Sequence, residues 1–112
     1  MALDLHFGVD VNAAAKTAPK LQIEHFIHDD VFGKLFYKDY KKLTTKYLLL
    51  ERLSDHYSDA IFLCDELPNF IKELNQVIFQ FTKDTHKKLL NDLISLSNEA
   101  ISKKQNLYFF CD

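Results

Sequence analysis

The chain has 112 residues, 47% of them hydrophobic and 27% charged, with a formal charge of −2. That length suits one domain with its own core, and the composition is too apolar for a disordered chain and too weakly charged for a general nucleic-acid binder. Ten Phe and five Tyr against two Gly and two Pro predict an aromatic core, long regular elements and a single domain over 1–112.

Leu3, Leu5, Phe7, Val9 and Val11 alternate with Asp4, His6, Gly8 and Asp10, the period-two pattern of a half-buried strand. The stretch 12–19 lacks a pattern and reads as a loop. Between Leu21 and Phe36 the apolar residues Ile23, Phe26, Ile27, Val31 and Leu35 follow a helical stripe imperfectly, broken by Asp29, Asp30 and Gly33; the expectation is one short helix or two unequal pieces. Tyr40, Leu43, Tyr47, Leu50, Leu53 and Tyr57 recur at three- and four-residue steps and predict a helix over 38–56. Leu67, Phe70, Ile71, Leu74, Val77, Ile78 and Phe81 predict the next, with Asp65 as cap and Pro68 tolerated in the first turn. Leu89, Leu90, Leu93, Ile94, Leu96, Ala100 and Ile101 predict a further helix, capped by Thr82 or Asp84. The aromatic run Leu107–Cys111 reads as a second strand, whose partner would be the strand at the other end of the chain. The expected fold is therefore mainly α: a bundle of about four helices beside a small antiparallel sheet made by the two terminal strands.

Candidate chemistry is sparse. His25 and His28, followed by Asp29 and Asp30, would share a helix face, but no second ligand pair of metal-binding spacing accompanies them. Cys64 and Cys111 lack basic neighbours that would lower a thiol pKa, and there is no glycine-rich phosphate loop or nucleophile elbow. The expectation is no enzyme, no metal and no cofactor. Two cysteines suit reduced thiols rather than a disulfide scaffold. The opening MALDLHF reads as neither signal peptide nor membrane span, so a cytoplasmic location is expected.

Two charged stretches remain. Lys38, Lys41, Lys42 and Lys46 crowd one segment and, with neighbouring tyrosines, offer an alternative reading as a helical antitoxin or regulator touching nucleic acid; without an overall basic excess they read better as a solvated helix face. Glu51, Asp55, Asp59, Asp65 and Glu66 follow within sixteen residues, opposed only by Arg52. Carboxylates around Tyr57 and Phe62 suit a docking surface for a basic protein, because charge steers the encounter and aromatic side chains anchor the complex.

The segment RLSDHYSDAIFLCDELPNFIKEL, with the opening MALDLHF and the closing aromatic run, resembles small bacterial immunity proteins carried beside polymorphic toxins, including those of contact-dependent growth inhibition. The resemblance implies a non-enzymatic protein that binds a cognate toxin domain, often a basic nuclease, and blocks it. The candidate partner-binding residues are Glu51, Asp55, Tyr57, Asp59, Asp65 and Glu66.

Overall fold

The computed structural model describes residues 2–36, 47–55 and 57–111. The alternating first segment forms β1 (Ala2–Gly8), with Leu3, Leu5 and Phe7 almost fully buried. Asn106–Cys111 forms β4 and pairs antiparallel with β1, Leu3 opposite Cys111 and Gly8 opposite Asn106. The two chain ends thus lie side by side, but not as a two-stranded appendage. Leu21–Glu24 (β2) flanks β1 and Ala60–Phe62 (β3) flanks β4, giving a four-stranded antiparallel sheet of order β2-β1-β4-β3.

The expected mainly α bundle is therefore corrected to an α+β fold built on this sheet. Both missed strands are short, four and three residues, and a window that small cannot separate strand from helix by periodicity. β2 lies at the start of the imperfect helical stripe that runs from Leu21 to Phe36. The apolar run containing β3 shows no alternation at all.

β1 is covered on both faces, since His6 and Ala2 on its second face are also buried. The cover over the Gly8 end is α1 (Val11–Ala15), a helix where a loop was expected; Asp10 caps it, its carboxylate accepting from Ala13 N–H at 2.8 Å. A Cβ built on Gly8 would stand 2.6 Å from Ala14 N and 2.8 Å from its Cα. Glycine is required there by that close approach. Thr17, just beyond α1, donates to Ala14 C=O and lies 3.2 Å from Nδ1 of His6. Its proton being committed to the carbonyl, Thr17 Oγ1 accepts from His6 Nδ1–H.

After β2 the chain turns into α2 (His25–His28), widens through a π turn at Asp29–Gly33 and continues as α3 (Lys34–Phe36). Most of the helix expected over 38–56 lies outside the described residues. Its described part is a 3-10 turn, Leu50–Leu53, whose two leucines are fully buried. Glu73 holds that turn, its carboxylate accepting from the N–H groups of Leu49 and Leu50 at 3.1 and 3.0 Å.

The last two predicted helices form α4 (Leu67–Val77) and α5 (Asp84–Ser102). α4 buries Leu67, Phe70, Leu74 and Val77, and α5 buries Leu89, Leu90, Leu93 and Ala100, each a continuous stripe at helical spacing. Their caps differ from expectation: the residues preceding the two helices are Glu66 and Lys83, neither bonding the helix with its side chain. α5 ends in a Schellman turn, with Gln105 N–H bonded to Ala100 C=O, Lys104 N–H to Ile101 C=O, and Lys104 at φ 55°. That turn reverses the chain into β4. Between sheet and helices Phe62 stacks on Phe70 at 4.3 Å and meets Phe109 edge-on at 5.6 Å, so the outermost strand is anchored to both layers.

The glycines give a paired stability test. Gly8→Ala drives a methyl into the α1 backbone and should destabilise by about 1–3 kcal/mol. Gly33→Ala, where a Cβ meets nothing within 4 Å, should leave stability unchanged or raise it by about 0.5–1 kcal/mol. Urea unfolding followed by circular dichroism measures both.

Candidate protein-binding site

Arg52 is the hinge of the acidic segment. Its guanidinium forms a two-bond fork with Glu66, Nη1 to Oε1 at 2.8 Å and Nη2 to Oε2 at 2.7 Å, the planar match that makes this pairing specific as well as strong. The same Nη1 donates to the carbonyl of Ile61 at 2.9 Å, and Glu66 accepts from Leu63 N–H at 2.9 Å. Arg52 also lies 5.3 Å over the Phe62 ring. One ion pair therefore closes the segment 52–66 into a loop and braces the outer edge of β3.

The remaining acids divide into two groups. Asp55 folds the turn before β3 by accepting from Tyr57 N–H and Ser58 Oγ, both at 2.9 Å. Asp59 accepts from Cys111 N–H at 2.7 Å and ties that turn to the end of β4. Glu51 and Asp65 are exposed and flank the Arg52–Glu66 pair in sequence. Of the six residues singled out, Asp55, Tyr57 and Asp59 gather at one end of β3, Asp65 and Glu66 at the other. The three-residue strand between them spans about 10 Å. Glu51 stands beside Arg52 in the 3-10 turn and is exposed.

Tyr57 is 58% exposed, with the His25 ring 5.6 Å away edge-on, whereas Phe62, the other expected aromatic anchor, is fully buried against Phe70 and Phe109 and is not available to a partner. Two further surface side chains escaped the sequence reading: Ile61 at 47% and Leu63 at 49% exposure. They take alternate positions about buried Phe62, but every position of AIFLC is apolar, so the sequence carries no alternation that would reveal them. Arg52, the one opposing charge in the acidic stretch, meets Glu66 across 14 residues, a spacing that gives no hint of contact in the sequence. Asn106 completes the local frame, accepting from Cys64 N–H at 2.8 Å and donating to Val9 C=O at 3.3 Å.

Glu66 is held well below the usual carboxylate range, at about 2, chiefly by its hydrogen bonds from Arg52, with the Leu63 amide and the Arg52 charge adding to the effect against partial burial. Arg52 is pushed up in turn, first by the bond to Glu66.

The two histidines do different work from a metal pair. His28 is buried and donates Nε2–H to Leu53 C=O at 2.5 Å, while His25 sits at the surface with Nε2 3.0 Å from Asp29. Among the described residues no group of three or more His, Cys, Asp or Glu could hold a metal ion. Cys64 and Cys111 are half-buried and unbridged. A concavity of about 790 Å³ beside Tyr47, Ile71 and Phe79 is lined by no carboxylate, imidazole or thiol. No described helix is long and apolar enough to cross a membrane. Lys38, Lys41, Lys42 and Lys46 lie outside the described residues.

Compared with known proteins, the chain matches no family model, no curated protein sequence and no solved structure.

The low pKa of Glu66 makes the brace pH-sensitive. A carboxylate depressed in the folded state stabilises above its unfolded value and loses that contribution as pH falls through the folded one. With the ordinary value at 4.5 and the folded value at about 2, the window runs between them. Discounted for solvent screening, Glu66→Gln should cost about 1–2 kcal/mol at neutral pH. The difference from wild type, followed by denaturant midpoints, should shrink steadily as pH falls through that window.

Proposed function

We propose that the protein works by stoichiometric binding of another protein, as an immunity protein that neutralises a cognate toxin domain in the bacterial cytoplasm and performs no catalysis of its own. The observation that carries this reading is the outer strand of the sheet. Ile61 on that strand, with Tyr57 in the turn before it and Leu63 just after it, exposes apolar surface, with the carboxylates of Asp55 and Asp59 at one end of the strand and Asp65 at the other.

Isolated apolar side chains on a surface mean little, but Ile61 on β3, Leu63 directly after it and Tyr57 in the turn before it, with exposed carboxylates at both ends of the strand and Arg52 between them, favour a partner that is basic and presents an apolar contact of its own. The Arg52–Glu66 fork and the Asp55 and Asp59 bonds hold this edge before any partner arrives, which lowers the entropy lost on association. The immunity class comes from the resemblance of residues 52–74 and the two chain ends; the edge supplies a physical means of binding a basic toxin.

Glu51→Lys with Asp65→Lys changes only exposed carboxylates and leaves the fork intact. Binding of the co-encoded toxin domain should weaken by about 10–100-fold, mainly through slower association, with a loss of salt sensitivity. Tyr57→Ala should weaken it by about 2 kcal/mol through faster dissociation. Surface plasmon resonance and rescue of toxin-expressing cells read both effects. Full affinity and full rescue by the charge-reversed variant would remove the acidic edge from the interface, and absence of any complex with the wild-type protein would refute the immunity reading.

A further inference from the structure

The two edges of the sheet are built differently. Antiparallel strands send the N–H and C=O of successive residues to alternate sides. On β3 the Ile61 carbonyl faces outward and is capped by Arg52, so Ala60 and Phe62 face β4, opposite Phe109 and Leu107. Tyr108 and Phe110 then face β1, opposite His6 and Asp4, which leaves Leu3 and Leu5 facing Ile23 and Leu21. The Leu5 carbonyl faces β2, as this phase requires, and accepts from Lys20 N–H at 2.7 Å, so Lys20, just before the strand, turns its N–H inward. Gln22, in the middle of β2, therefore presents its N–H and C=O outward, and no described strand lies beyond it.

Beside this edge runs a cleft of about 200 Å³ between β2 and α5, with Leu21, Ile27 and Leu89 in its lining and Lys88 and Asp92 along it. α5 runs opposite to β2, since Thr85 lies beside the Gln22–Glu24 end and Ser95 and Leu96 beside the Lys20 end. The strand thus goes from a base, Lys20, to an acid, Glu24, and the helix alongside has its acid, Asp92, toward the strand's basic end. Lys88 and Asp92 are 2.7 Å apart in one chain. A two-fold axis through Gln22 reverses both orders at once. It sets Lys20 toward the second copy's Glu24, Lys88 toward the second copy's Asp92, and Leu21 opposite the second copy's Ile23.

We infer that the β2 edge and the adjoining flank of α5 bind a second copy of this chain, joining two four-stranded sheets into one continuous antiparallel sheet. An isologous contact must be complementary to itself, and this face is so in charge and in apolar side chains about a single axis. The opposite edge, closed by Arg52, remains free for a different partner. The inference does not rest on the immunity reading.

Sedimentation equilibrium on the purified protein tests it. Wild type should form a dimer, and Lys88→Glu or Asp92→Lys alone, each placing like charges across the axis, should weaken it by about tenfold. An equimolar mixture of the two variants should dimerise as wild type does, because each glutamate then meets a lysine, and circular dichroism should show all three proteins folded. A wild-type protein that stays monomeric into the high-micromolar range, or variants that dimerise alone as tightly as wild type, would overturn the proposal. Failure to regain the dimer on mixing would also count against it.

Discussion

The pairing of β1 with β4 is the constraint on which the rest of the molecule depends. It joins residues 2–8 to residues 106–111 in a six-pair register, and each of these strands carries one of the flanking strands on its other side. Closing so long a loop costs little more than closing a short one, since the entropy rises only with the logarithm of length. What repays the cost is burial: Leu3, Leu5, Leu107 and Phe109 are fully enclosed beneath α4 and α5. Alternation then leaves His6 and Tyr108 on the second face, where α1 and Thr17 cover part of it and Gly8 admits the helix.

From this centre the two edges diverge in character. β3 is held by aromatic stacking on its inner side and by Arg52 on its outer side. A guanidinium on an edge carbonyl is one of the ways by which sheets resist unwanted strand addition. Because the same guanidinium is forked to Glu66, blocking the edge and fixing the acidic loop are one structural event. Three of the carboxylates that looked like a uniform docking charge have structural work: Asp55 makes a turn, Asp59 ties a strand end and Glu66 braces the edge. The exposed acidic charge is carried by Glu51, Asp55, Asp59 and Asp65, and the apolar contact by Tyr57, Ile61 and Leu63.

Features with a long local period were legible in the sequence. β1, α4 and α5 each repeat their pattern over seven or more residues, and the structure forms all three, although β1 stops at Gly8, leaving Val9 and Val11 exposed, and α4 stops at Val77, short of the stripe that runs to Phe81. Helix caps were not, because Asp65, Thr82 and Asp84 are all competent caps by residue type, and the choice depends on how the preceding turn enters the core. The candidate site was legible in part: its location and acidity stood in the sequence, whereas Arg52, Ile61 and Leu63 acquired meaning only when the strand between the two acidic groups was known.

The sequence by itself determined which residues would be buried in the long elements and that the two chain ends would be strands, because burial follows from side-chain periodicity within one element. Only the tertiary structure decided that those ends form the middle of a four-stranded sheet, that β2 and β3 exist at all, and that one edge is capped while the other faces outward. Strands of three or four residues carry too few side chains to declare themselves. They become strands because a neighbour offers hydrogen bonds to their backbone, and that offer comes from residues distant in the chain.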